Sequence, residues 1–276
     1  MIHSGGIELD EALELTRTGD VWLFRGRSAP DRAIQMTTNS PVNHVGMSVV
    51  IEDLPPLMWH AELGRSLPDM WTGTHQRGVQ LHDLRDAVVV WARRYGQRAW
   101  LRQLDAAVTR EMEDALLRTI ARLDGTPFPS TAGLAGRWLR GRLPLVHGRG
   151  RKADDREESG SRGDAASSGE VGNRRTAWHE WTARTARVAR VARVVGNRGA
   201  DGNAGQSGSA ALETAYCAEV VAATYEAMGL LPGGRRLNWY DPGRFWSGDE
   251  LVLSGGARLG GEIPVRIPPE ARPSTR

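Results

Sequence analysis

"SPVNHVGMSVVIEDLPPLMWHAEL", residues Ser40 to Leu63, decides the fold. An apolar, β-branched run, 44–52, and a second apolar run, 57–63, flank Asp53-Leu54-Pro55-Pro56, a turn signal at hairpin length. The spacing predicts two antiparallel strands. A histidine opens the first strand, and a second histidine and a glutamate lie in the other. Valine or threonine would build these strands at least as well, so the polar residues ask for another reason. In an even-summed pairing, residues of equal parity on facing strands point to one face. His44, His60 and Glu62 would then share a face, an economical way to hold an imidazole beside an orienting partner.

Further strands and helices surround this hairpin. Leu9 to Arg17 reads as a short helix stopped at Gly19, and "DVWLFRG" (20–26) as a strand. Residues 28–39 read as a helix with a serine cap and a nearby proline. "GVQLHDLRD" (78–86) and "AVVVWARRY" (87–95) read as two more strands. Val108 to Phe128 has helical periodicity and ends at Gly125 before Pro127, and Ala211 to Gly234 reads as a helix. The expected class is α+β.

Composition divides the chain of 276 residues. Residues 149–210 carry twelve Arg or Lys and eight Asp or Glu, a net of +4, while the whole chain is only +3. The remainder is therefore near −1, and any pull on an anionic partner is concentrated in this insert. The insert is otherwise poor in large apolar residues and reads as disordered. Within it, 176–196 is basic and amphipathic, with Trp181, Val188, Val191 and Val195 on one helical face. The expected organisation is a domain built from 1–148 and 211–263, the insert 149–210, and a flexible tail 264–276. The N-terminus shows no basic and apolar leader, and no run of 18 apolar residues occurs. A cytoplasmic protein is expected, with peripheral membrane contact through 176–196 and no nucleic-acid partner.

The chain has one cysteine, Cys217. That excludes an intrachain disulfide, CxxC redox motifs and cysteine-rich zinc sites. Helical signals begin near Cys217, so its sulfur falls in a first helical turn, where the macrodipole and free N–H groups favour thiolate. A lone cysteine is equally a small buried hydrophobe. Ten tryptophans are expected in the core. Asp20 and Asn43 read as turn-forming. No HExxH or comparable spacing supports a zinc site from His44, His60 and His82, and no cofactor or metal is expected.

The blocks "GDVWLFRG", "SPVNHVGMSVV", "MWHAELG", "GVQLHDL" and "YCAEVVAATYEAMGLL" resemble, in that order, the circularly permuted NlpC-type papain-like superfamily. That group includes YiiX-like hydrolases and lecithin–retinol acyltransferase-like enzymes. The blocks cover roughly residues 19–92 and 211–253. The resemblance implies an antiparallel sheet packed against the helix carrying the nucleophile. It implies Cys217 as nucleophile, His44 as base, and His60 as the third residue, with Glu62 its rival. It also implies a hydrolase or acyltransferase that opens an amide or ester of a peptide or lipid through a Cys thioester. The Cys217 N–H would hold the oxyanion, with Tyr216 a candidate second donor. The long insert before the cysteine departs from the pattern. The contrasting expectation is a catalytically silent scaffold that binds an anionic membrane or nucleic acid through the insert.

Overall fold

A computed structural model describes residues 6–27, 31–32, 35–36, 39–51, 53–62, 66–127, 216–248 and 251–269. The insert, its stretch 176–196 and residues 270–276 lie outside the described residues. Of the helix expected over 28–39, Asp31, Arg32, Gln35 and Met36 are helical, and the rest falls partly outside.

The fold is a mixed α+β arrangement: a seven-stranded, mostly antiparallel sheet with, among the described residues, four α-helices. The strands are β1 Ile7–Glu8, β2 Val21–Arg25, β3 His44–Val49, β4 Leu57–Glu62, β5 Gly78–Asp83, β6 Arg98–Arg102 and β7 Ile263–Arg266. The helices are α1 Leu9–Leu15, α2 Leu84–Tyr95, α3 Arg110–Leu123 and α4 Cys217–Ala227. The strand order is β1-β7-β6-β2-β3-β4-β5, with β1 and β7 parallel.

The hairpin forms with the even-summed register. Met47 pairs with Trp59, Ser48 with Met58 and Val49 with Leu57. Strand alternation therefore splits the residues between two faces. Val45, Met47, Val49, Leu57, Trp59 and Ala61 join one core cluster with residues of α3 and α4. Trp22, Phe24 and Met58 join a second cluster with Leu9 and Ala12 of α1 and Leu84, Ala87, Val88 and Trp91 of α2. The sheet thus lies between α3/α4 on one side and α1/α2 on the other. Helix α4 is buried from Cys217 through Tyr225, and the Trp59 indole N–H donates to Thr224 Oγ1 at 3.0 Å. Gly46 has no room for a side chain: a Cβ there would collide with Met58 Sδ and stand 3.3 Å from His60 Cβ.

Two expectations about structure are corrected. Residues 87–95 are helical, not a strand. Asp83 accepts from Asp86 N at 3.0 Å and caps α2. Leu84, Ala87, Val88 and Trp91 recur at helical spacing and bury one face, and Gly96 ends the helix at φ 63°. The chain also stays ordered past Pro264. Strand β7 pairs with β6 through Trp100↔Pro264 and with β1 only from Ile7↔Val265, so the missing proline N–H falls beyond the β1 ladder. The buried Arg102 secures this end by donating to the carbonyls of Phe245 (2.5 Å), Leu259 (3.0 Å) and Gly260 (2.6 Å).

Asp20 holds a turn, as its sequence position suggests, whereas Asn43 bonds across to distant residues instead of its own turn. Asp20 accepts from Arg17 N and from Leu104 N, both at 2.8 Å, which ties the start of β2 to the end of β6. Asn43 accepts from Gly26 N at 2.6 Å.

A carboxylate pair, Asp69 and Asp124, carries a pH prediction. The Asp69 carboxylate accepts from the N–H groups of Trp71, Thr72 and Leu81. Asp124 lies near it, with Oδ1 buried and unpartnered. Burial, reinforced by the Asp69 charge, raises the Asp124 carboxyl to about 8. A raised folded pKa means stability is complete below the unfolded value and is lost as pH climbs through about 8. Asp124→Asn should therefore unfold later in urea than the parent at pH 8, by more than about 1 kcal/mol, with the gap closing toward pH 4. An unchanged gap between pH 4 and pH 8 would contradict this.

Candidate active site

His44 stands at the head of β3 and is half-buried. Its ring meets Trp91 of α2 edge-on at 4.9 Å and His60 at 5.3 Å, also edge-on. His60 is fully buried and packs on Trp91 at 4.8 Å. The structure therefore brings His44 and His60 together, as their parity suggests. Of the two rivals for third residue, His60 is the one whose ring meets His44. The Glu62 carboxylate accepts from Ser66 Oγ at 2.8 and 3.0 Å and lies 3.9 Å from His82 Nδ1.

Burial leaves all three histidines of this layer neutral. It pushes His44 and His82 down to about 3. It also lowers His60 well below the usual imidazole range, helped by the charges that His82 and His44 would carry. His44 Nε2, His60 Nδ1 and His82 Nε2 have no hydrogen-bond partner among the described residues.

Cys217 is the first residue of α4, as its helical signals predict. It lies in the core cluster on the opposite face of the sheet from the histidines. The backbone N–H groups of Val45, Ala218 and Cys217 itself lie near its sulfur and favour the charged form. These hold the thiol down only in part, because burial outweighs them and pushes it up to about 12. The thiolate expected from the helix terminus is therefore absent from this arrangement, in which Cys217 is a protonated thiol. Tyr216, the candidate second oxyanion donor, uses its hydroxyl proton on the Tyr240 carbonyl. It has no proton left for an oxyanion.

The thiol and the imidazole nevertheless meet the same stretch of chain. The rungs between β3 and β4 end at Met47↔Trp59, so His44, Val45 and Gly46 run on without β4 partners. Cys217 contacts the Val45 backbone there, one residue from His44. The sequence names His82 only as a zinc ligand without supporting spacing and Trp91 only as a core residue, and does not show that both adjoin His60. The alternation of β5 carries the His82 signal, since Met58 pairs with His82 and places it on the face of His60. Trp91 was hidden by the mistaken strand over 87–95. Near the head of β3 a surface depression of about 490 Å3 is lined by Arg32, Gln35, Met36, Asn39, Ser40 and Pro41.

No family model matches the chain, and no curated protein matches it. Among solved structures, the crystal structure of the metalloprotein YiiX from Escherichia coli O157:H7 is similar at 23% identity and a TM-score of 0.32. The likeness covers 41% of this chain and 53% of that one, so the matched part spans about half the length of that protein. A likeness at this level assigns no activity. Among the described residues, no helix is long and apolar enough to cross a membrane.

Proposed function

We propose that the chain is a papain-like, thiol-dependent hydrolase or acyltransferase with Cys217 as nucleophile, His44 as general base and His60 as the residue that orients His44. One observation supports this most: Cys217 opens α4 with its sulfur near the Val45 backbone, one residue along β3 from His44, where the rungs to β4 end. The pair starts as thiol and neutral imidazole, not as an ion pair. Catalysis then requires His44 to turn toward the split and take the thiol proton as sulfur attacks the acyl carbon. The Cys217 N–H, with the nearby Val45 or Ala218 N–H, receives the developing oxyanion. His44 passes the proton to the leaving group, and a thioester remains. Water or a second acceptor resolves it.

The substrate class is a peptide or lipid acyl compound. The depression at Arg32 and Met36 offers a basic and an apolar side chain to it. A lipid substrate suits the basic amphipathic stretch 176–196, docked at a membrane surface.

A panel of activated esters, peptide anilides and phospholipids tests this. Turnover of at least one compound should vanish once Cys217 is exhaustively alkylated, and turnover that survives alkylation would sink the assignment. The rate of alkylation is itself informative. With the thiol near 12, iodoacetamide labelling should climb about tenfold per pH unit through pH 9. A plateau below pH 7 would mean a preformed thiolate–imidazolium pair.

A further inference from the structure

We infer that His60, Glu62 and His82 form a binding site for one divalent transition metal ion of the zinc type. The three side chains come from adjacent strands. His60 and Glu62 are two apart on β4 and share its even face. His82 on β5 pairs with Met58 and is the diagonal neighbour of His60. His60 Nε2 lies 3.0 Å from His82 Nδ1, and His82 Nδ1 lies 3.9 Å from Glu62 Oε2. One ligand atom from each residue falls within 4.8 Å of the others. Donors about 2.0–2.1 Å from a tetrahedral ion stand roughly 3.3–3.5 Å apart. Shifts of a few tenths of an ångström at the histidines, and somewhat more at the carboxylate, reach that geometry.

The ligand atoms themselves point the same way. In the hydrogen bond between His60 and His82, one ring nitrogen must donate and the other accept. A cation between them would take both lone pairs and the carboxylate charge. The carboxylate is already aimed, because Ser66 Oγ holds both of its oxygens. Two imidazoles and one carboxylate suit zinc or cobalt, whereas calcium and magnesium prefer all-oxygen sites. His44, with its own unpartnered Nε2, is the next donor in the layer.

The site goes beyond the thiol chemistry and does not depend on it. It would bear on that chemistry in one way. Ligation through Nε2 fixes His60 as the Nδ1–H tautomer, the form that can donate to His44.

The experiment uses the full chain, stripped with a chelator and dialysed. Zinc is then titrated against a chromophoric competitor, and cobalt is added to a second sample. The expected result is one equivalent of zinc per chain and intense visible cobalt bands without a sulfur charge-transfer band. Cys217→Ala should bind the same equivalent, so failure of the metal site and failure of the nucleophile assignment are read separately. His82→Gln and Glu62→Gln should each weaken zinc by at least about 100-fold, beyond the usual effect of an outer-shell change. A cooperative thermal transition in each variant checks its fold. If His82→Gln does not fold, Glu62→Gln and the cobalt spectrum of the parent decide. Absence of a stoichiometric equivalent in the parent, a sulfur-to-cobalt band, or binding that both variants retain would each overturn the site.

Discussion

Replacing Cys217 by alanine should lower kcat/KM on an acyl substrate by roughly a thousandfold or more, because no other group in the chain can form the thioester. The fold should survive. Cys217 is buried, but it is small, so its loss costs about 1–2 kcal/mol in packing. His44→Ala should lower the rate by about a hundredfold or more through loss of the general base. His60→Gln should show a smaller kcat effect with KM unchanged, as expected of a positioning residue. Unaltered turnover in Cys217→Ala would remove the thiol mechanism. Loss of the cooperative transition in the same variant would make Cys217 a core residue first.

Trp91→Ala should have the largest effect on stability of any single change on the histidine face. Its ring is 3% exposed and meets three partners edge-on: Phe24 at 4.8 Å, His44 at 4.9 Å and His60 at 4.8 Å. Its side chain also lies near the Glu62 carboxylate and favours its charged form. Removing it should cost about 3–5 kcal/mol, read from the urea midpoint. It should also admit water to the layer. The imidazoles of His44 and His60 should then titrate closer to 6.5 by NMR, since burial is the main cause of their low values. A loss below about 1 kcal/mol, or histidines that stay neutral at pH 5, would show that Trp91 does not seal the layer.

The hairpin from His44 to Glu62 was legible because strand alternation is strict there and the turn carries two prolines. Its parity placed His44 and His60 on one face correctly. The same alternation placed Cys217 on the other, but that could not be read until α4 was known to pack on Val45, Met47 and Trp59. Three successive valines, Val88 to Val90, hid α2, because β-branched residues outweighed a clear helical spacing. Strand β6 was missed because "RAWLR" is short and framed by arginines. Pro264 looked like the start of a loose tail, and only its place in the sheet shows why it is tolerated. The thiol was misjudged for a different reason. A helix terminus and its N–H groups favour thiolate, but a core position disfavours it more strongly. Burial depends on tertiary contacts, and local sequence does not carry it.

The most direct measurement is single-turnover trapping of the acyl-enzyme, with an activated ester that the protein accepts, followed by intact mass and peptide mapping. One acyl group per chain is expected, on the peptide that contains Cys217 and released by hydroxylamine. None is expected in Cys217→Ala, and formation should be slowed by about a hundredfold in His44→Ala. An acyl group on another residue, or one that forms on Cys217 equally fast without His44, would contradict the pairing of the thiol and the imidazole across the split between β3 and β4.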